Sequence, residues 1–192
     1  MHLEDWPIRL KGVELDTAIL SAPNVQYKLR SSSGHRRMPT ILVKIPHGSF
    51  PGETRAVLVR KINEAAAAAE QMPDEPRARA MCWVLVEEAA PGAWTCGGAD
   101  VTAKLLPCTV LAYLPAGVLD DTSRELFVAG IHAAFAEALP AGDRRRLATS
   151  VVMNEVPDGA WGVGGKVWHL PDFARSAGYA HLQHLVDAAQ AN

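Results

Sequence analysis

The sequence is short of cysteine, of net charge and of long apolar runs. Its three cysteines form no C-x-x-C pair, which argues against a disulfide framework or a zinc ribbon and favours a reducing cytoplasm. Nineteen basic and 21 acidic residues leave a net charge of −2, so we expect no binding to nucleic acid or anionic membranes by bulk electrostatics. No apolar run approaches the roughly 20 residues of a membrane-spanning helix. The 48% of hydrophobic residues instead indicates a globular protein with a substantial core.

One stretch of the sequence occurs twice. The string EAAPGAWTCGG at 88–98 returns 67 residues later as EVPDGAWGVGG at 155–165. Upstream of each copy a proline opens an apolar, β-branched run, at Pro39 and at Pro107. Several ordered matches at a nearly constant spacing indicate a duplication, and two copies are too few for a solenoid. The sequence therefore predicts a single domain with internal pseudo-symmetry.

Each copy has the pattern of a strand, a helix, a second strand and a glycine turn. Apolar runs predict strands at 39–46, 80–88, 107–115 and 148–155. Helical spacing of apolar residues predicts helices at 53–71 and 122–139, the second opened by a capping box at 122–125. The Gly-Gly pairs predict hairpin turns.

A crossover helix places the two strands of one copy parallel to each other. We therefore predict an α+β (α/β) fold in which tandem β-α-β repeats form a four-stranded mixed sheet with two helices on one face. The other face would be apolar and bare, which favours an oligomer that covers it.

The ends of the chain lie outside the duplication. A polar, turn-rich stretch, SSSGHRR, precedes Met38 and is typical of a linker. After a predicted loop at 168–173, residues 174–191 have the spacing of an amphipathic helix. Three segments are thus predicted: a leader or extension at 1–37, a domain at 38–170 with repeats at 39–105 and 107–170, and a helical tail at 171–192.

This order of features resembles the tautomerase superfamily, whose type member is 4-oxalocrotonate tautomerase. The resemblance depends on Met38-Pro39 before an apolar strand, on a second strand that ends in glutamate, and on a G-x-[FW]-G-x-G-G pattern. GAWGVGG at 159–165 matches that pattern closely, and GAWTCGG at 92–98 matches it more loosely. A tandem pair is similar to the fused tautomerases, so the resemblance implies a tautomerase or MIF-like fold and a trimer of double-length chains.

The resemblance implies proton transfer by an N-terminal proline, here Pro39 after removal of Met38. A free α-amino group has a pKa near 8, and burial lowers it because an apolar environment disfavours the cation. An amine that titrates near neutral pH is an effective general base at carbon. The resemblance also implies an apolar wall at Trp94 or Trp161, arginines that bind a substrate carboxylate, no cofactor and no metal.

The position of Pro39 departs from the family pattern. As the sequence is written, Pro39 lies inside the chain, where its nitrogen is an amide without a basic lone pair. The family mechanism therefore requires a protein that begins at Met38, and we expect translation to start there. If Met1 is the start, Pro39 stays blocked and the chemistry is excluded.

The arginines of the family are also missing from their usual places, which hold Ser49, Val118, Trp83 and Ser150. Arg55, Arg77 and Arg79 are nearby in sequence and are candidate substitutes, with a solvated surface charge as the alternative for each. His47, after the first strand, is a candidate hydrogen-bond donor or acid, with an exposed loop histidine as the alternative. A dicarboxylate substrate is therefore disfavoured, and a monocarboxylate or a phenylpyruvate-like keto–enol acid fits better.

These observations predict a cytoplasmic, cofactor-independent isomerase that moves a proton in keto–enol or dienol 2-oxo acids, with Pro39 as the general base. One alternative is a dehalogenase, hydratase or decarboxylase of the same superfamily, in which a cationic proline acts as an acid. The other is a non-catalytic binding or scaffold protein, if Pro39 remains in-chain. The expected partners are a small-molecule substrate and further copies of the chain.

Overall fold

The computed structural model describes residues 40–191. The expected leader at 1–37 and the candidate base Pro39 lie outside these residues. The described strands are β1 (Thr40–Pro46), β2 (Trp83–Ala89), β3 (Thr95–Cys96), β4 (Ala99–Asp100), β5 (Leu105–Pro115), β6 (Arg146–Val156), β7 (Trp161–Val163) and β8 (Lys166–Trp168). The described helices are α1 (Glu53–Ala69), α2 (Pro76–Arg79), α3 (Asp121–Ala138), α4 (Leu170–Ala177) and α5 (Gln183–Gln190), with a 3-10 turn at Ala180–Leu182.

Four strands form the main sheet in the order β2-β1-β5-β6. The two strands of each repeat are parallel, and the repeats meet where β1 runs antiparallel to β5. Each repeat ends in a small hairpin, β3 with β4 and β7 with β8. Both hairpins turn on Gly-Gly pairs with positive φ, from 58° to 82°. The mixed four-stranded sheet and the hairpin turns confirm the fold predicted from the duplication.

Helices α1 and α3 cover one face of the sheet and enclose the core. The predicted helical stripes are buried there, apart from the half-buried Ala65: Leu58, Ile62, Ala66, Ala69, Phe127, Ile131, Ala134, Phe135 and Ala138. The two helices approach closely at Gly130, where an added Cβ would lie 2.8 Å from the Cβ of Ala65. A glycine at this point therefore allows the two repeats to share one core.

The opposite face of the sheet carries large apolar side chains that are partly exposed. Trp83, Leu85 and Val152 are 42%, 53% and 44% exposed. Leu85 pairs with Leu42, which pairs in turn with Leu111, so one apolar row crosses the sheet from β2 to β6. The bare face expected from the sequence is therefore present in the single chain.

The predicted capping box at 122–125 is wrong. Helix α3 starts one residue earlier, because the carboxylate of Asp120 is the N-cap and accepts a hydrogen bond from the Ser123 backbone N–H at 2.8 Å. The first predicted helix is also too long at its end. Helix α1 stops at Ala69, and Gln71 takes a left-handed conformation with φ 52° before Pro73.

The tail differs more from its prediction. Residues 168–173 are not a loop, since β8 ends at Trp168 and α4 begins at Leu170. The single helix expected at 174–191 is interrupted at Gly178, whose φ of 73° ends α4 in a left-handed turn. No described helix is both long and apolar enough to cross a bilayer.

Candidate active site

A cleft of about 310 Å³ opens at the amino end of β1. Its lining is mostly apolar or aromatic and comprises Thr40, Tyr113, Val156, Ala160, Trp161 and Gly162. Thr40 is the residue that follows Pro39 in the sequence. The cleft is therefore the described surface nearest along the chain to the predicted base.

The sheet topology explains why residues so far apart in sequence line one cleft. Antiparallel pairing of β1 with β5 sets Thr40 opposite Tyr113, and the parallel partner β6 sets Asn154 beside Tyr113. The carboxyl end of β6 therefore lies at the amino end of β1. The next turn returns the chain to this end as β7, whose first residue is Trp161.

Trp161 is held by aromatic and backbone contacts. It pairs with Trp168 across the β7–β8 hairpin. Its ring meets the ring of Phe173 edge-on, with 5.8 Å between centroids. Aromatic pairs of this geometry stabilise the protein beyond their buried area, so the contact with Phe173 favours one orientation of the Trp161 ring.

The loop before Trp161 is fixed by a carboxylate. Asp158 accepts hydrogen bonds from the Leu170 backbone N–H at 2.6 Å and from His169 Nδ1 at 2.8 Å. The hydrogen bond that His169 donates to Asp158 raises the pKa of His169 and lowers the pKa of Asp158. Gly159 has φ 76°, and an added Cβ would lie 3.1 Å from the His169 ring. The turn therefore requires glycine and depends on this ion pair.

Trp94, the other predicted wall, lies elsewhere. It follows the carboxyl end of β2, where Ala89 pairs with Pro46 at the far end of β1 from Thr40. The two tryptophans that match in sequence are thus at opposite ends of the sheet. Within a single chain, Trp161 is the one that lines the cleft.

His47 is also at the far end of β1. The seven residues of β1 span roughly 20 Å, so His47 does not reach the cleft of its own chain. Its side chain is 69% exposed, and its Nδ1 lies 2.7 Å from the carboxylate of Glu88. Glu88 also accepts from the Gly48 backbone N–H at 3.1 Å and pairs with Arg55.

Two of the three candidate arginines, Arg77 and Arg79, are in the short helix α2, and the third, Arg55, is paired with Glu88. Arg77 is exposed, and Nη2 of Arg79 lies 3.1 Å from Asp74. Neither lines the cleft, whose described lining holds no arginine. A carboxylate ligand would therefore need a charge that the described residues of one chain do not place there.

Several features of the site had no signal in the sequence. Tyr113 is one of many strand residues, and it lines the cleft only because the β1–β5 register aligns it with Thr40. Phe173 contacts the ring of Trp161, and Asp158 accepts a hydrogen bond from the Leu170 N–H. No pattern in the sequence predicts either contact. The matched ion pairs Arg55–Glu88 and Arg124–Glu155 occupy equivalent places in the two repeats, which shows the duplication again in side-chain contacts.

Outside the cleft, an open depression of about 910 Å³ is lined by charged side chains that include Arg55 and Arg79. In the part of the chain that the structure describes, no three metal-ligating side chains come together. Burial raises the pKa of the Cys108 thiol to about 12 and also raises that of Cys82, so both thiols are held protonated. Cys96 is exposed in β3, outside the cleft.

One family model matches part of the chain, and several solved structures share its fold. Residues 111–170 match the sequence model of the family described as "Tautomerase enzyme". A fused 4-OT wild-type asymmetric trimer (F6) aligns with a TM-score of 0.54 and 23% identity over 67% of this chain and 95% of that chain. Native fused 4-OT aligns with a TM-score of 0.54 and 22% identity over the same shares.

Two further structures share the fold. Pt0534, inactivated by 2-oxo-3-pentynoate, aligns with a TM-score of 0.54 and 15% identity over 67% of this chain and 95% of its own. Macrophage migration inhibitory factor of Toxoplasma gondii aligns with a TM-score of 0.50 and 15% identity over 68% and 100%. A search of curated proteins found no match.

Proposed function

Because the chain carries a tautomerase-family domain in its second repeat and the fold of the fused 4-OT proteins across both, we propose that it is a cofactor-independent tautomerase. The reaction is proton transfer within keto–enol or dienol 2-oxo acids. The base is the secondary amine of Pro39 in a protein that begins at that residue. We place the protein in the cytoplasm, where its three free cysteines stay reduced.

The observation that supports this proposal best is the position of Trp161 beside Thr40. Trp161, Val156 and Ala160 give the cleft an apolar wall, and Thr40, which also lines the cleft, follows Pro39 in the sequence. An amine against such a wall is poorly hydrated, which lowers its pKa towards neutrality. The neutral amine then removes a proton from the carbon α to the carbonyl and returns it elsewhere on the conjugated system.

Carboxylate recognition is the part that a single chain does not supply. Arg77 is exposed and lies beyond the cleft of its own chain, so we propose that it approaches the cleft of a second subunit. His47 lies beyond the cleft too, but Glu88 already contacts its ring. Arg79 is less available because Asp74 already pairs with it. A single cation from a second subunit would pair with one carboxylate, which suits a monocarboxylate substrate better than a dicarboxylate.

We propose a homotrimer as the working assembly. An exposed apolar row of this kind is typical of a subunit interface, and the fused 4-OT structures of this fold are trimers. Such an assembly brings exposed residues of one subunit near the cleft of another.

Labelling with 2-oxo-3-pentynoate tests the amine directly. A secondary amine adds across the electrophilic alkyne and forms one new carbon–nitrogen bond, so the adduct retains the whole mass of the reagent. We expect one adduct at Pro39 in a protein that begins at Pro39, measured by intact mass and peptide mapping in a Cys96→Ser background that removes the exposed thiol.

The matched controls are Pro39→Ala and the chain that begins at Met1, neither of which presents a prolyl amine. We expect no adduct on either. An adduct of equal yield on Pro39→Ala would contradict the assignment of the base.

A further inference from the structure

The carboxyl-terminal segment, Leu170–Gln190, begins at the last residue that matches the family and continues beyond it. It comprises α4, the 3-10 turn and α5, and it contacts both the helix layer and the β7–β8 hairpin. Its first turn is joined to the loop before Trp161, because the Leu170 N–H donates to Asp158. The segment therefore connects the core to the wall of the cleft.

Phe173 is the point of contact with the wall. Its side chain is 3% exposed and does not line the cleft. Its ring centroid is 5.8 Å from that of Trp161 and 5.0 Å from that of Trp168. A single ring thus supports both tryptophans of the hairpin.

The segment itself is fixed at its middle. Gly178 turns the chain against Pro73, where an added Cβ would lie 3.1 Å from the proline ring. Directly after it, the buried hydroxyl of Tyr179 donates to the carboxyl of Glu70 at 2.5 Å. His181 then donates from Nε2 to the Val118 carbonyl at 2.9 Å. These contacts hold α4 in one position relative to α1 and the β5–α3 loop.

We propose that Phe173 is a positioning residue, and that the carboxyl-terminal segment uses it to set the orientation of Trp161 in the cleft. The consequence for substrate binding rests on the proposed tautomerase function, whereas the geometric part does not. The ring of Trp161 forms the flat wall against which a conjugated 2-oxo acid would lie. Loss of its support widens the cleft without touching the base.

Fluorine NMR of the full chain labelled with 5-fluorotryptophan tests the geometric part. Trp161→Phe identifies the Trp161 resonance. Phe173→Leu, which keeps an apolar side chain but removes the ring, is expected to shift or broaden that resonance. Leu185→Ala, a change at a half-buried residue of α5, is the control and is expected to leave it in place. Phe173→Tyr keeps the ring and is expected to restore the parent resonance.

An unchanged Trp161 resonance in folded Phe173→Leu would overturn the proposal, as would an equal change in Leu185→Ala.

Kinetics test the consequence for substrate binding in protein that begins at Pro39, since the described residues have a core of their own. Phe173→Leu is expected to raise KM roughly two- to tenfold with kcat little changed. An unchanged KM would overturn the link to binding. A parent protein without turnover would instead refute the tautomerase function, and the NMR result would still decide the positioning role.

Discussion

Glu70 is a fully buried carboxyl at the end of α1. Burial raises its pKa from the ordinary 4.5 to about 7, and the hydrogen bond from Tyr179 offsets only part of that effect. The pKa values of the neighbouring Tyr179 and Cys82 are also raised, each in part by the charge of Glu70. The folded protein therefore favours a protonated Glu70 at pH values where the unfolded chain is ionised.

The stability of the fold should consequently fall as the pH rises from about 4.5 to about 7. Below pH 4.5, Glu70 is protonated in both the folded and the unfolded state. Between pH 4.5 and about 7 only the unfolded state loses this proton, so the stability falls, and above pH 7 the fall in stability is complete. The full decrease in the free energy of unfolding is on the order of 3 kcal/mol. Denaturant titrations at several pH values, compared with Glu70→Gln, should show this difference appear across that window. Parallel pH profiles for the two proteins would contradict the assignment.

At the scale of the element, the start of α3 shows how a helix end is fixed. The Asp120 carboxylate satisfies a backbone N–H that the helix itself leaves unpaired, and the same hydrogen bond lowers its pKa. Thr122, which the sequence pattern places at the cap, is already within the helix. The carboxylate also interacts favourably with the positive end of the helix dipole.

Asp120→Ala should therefore destabilise the protein measurably, because the Ser123 N–H loses its hydrogen-bond acceptor. Thr122→Ala is the matched control, and its effect should stay within about 0.5 kcal/mol, as for an ordinary surface change. Urea unfolding at pH 7 measures both. A larger loss for Thr122→Ala than for Asp120→Ala would restore the capping box and reject the cap that the structure shows.

The elements that the sequence predicts well are those with strong periodicity. The stripe from Phe127 to Ala138 is buried as expected, because a helix in contact with a sheet must bury one face. The tail was mispredicted because the helical spacing of Leu182 and Val186 lies entirely after the break at Gly178, so it carries no information about that break. Only the left-handed backbone at Gly178, packed against Pro73, shows that the helix ends there.

At the scale of the whole molecule, the open sheet face should decide the assembly. Leu85→Glu places a charge in the apolar row that crosses the sheet, so burial in an interface would become costly. We expect this variant to sediment as a monomer where the parent protein is a trimer. Val128→Glu makes the same change at an exposed position of α3 and should leave the assembly intact. Equal sedimentation of Leu85→Glu and the parent would contradict an interface on this face.

The site was predictable only in part, for reasons of topology. The duplication makes Trp94 and Trp161 equivalent in sequence, and no local pattern tells which lies beside Thr40. The antiparallel contact of β1 with β5 decides it, because this contact places the end of β6 at the start of β1. The same arrangement separates His47 from the cleft, although the sequence sets it only a few residues from Thr40.

The central claim is that the amine of Pro39 moves the proton. The most direct measurement is the rate of ketonisation of phenylenolpyruvate by protein that begins at Pro39, compared with its Pro39→Ala variant and with the chain that begins at Met1. We predict turnover in the first protein and a loss of roughly 10²- to 10⁴-fold in the other two. Equal turnover in Pro39→Ala, or in the chain from Met1, would contradict the account.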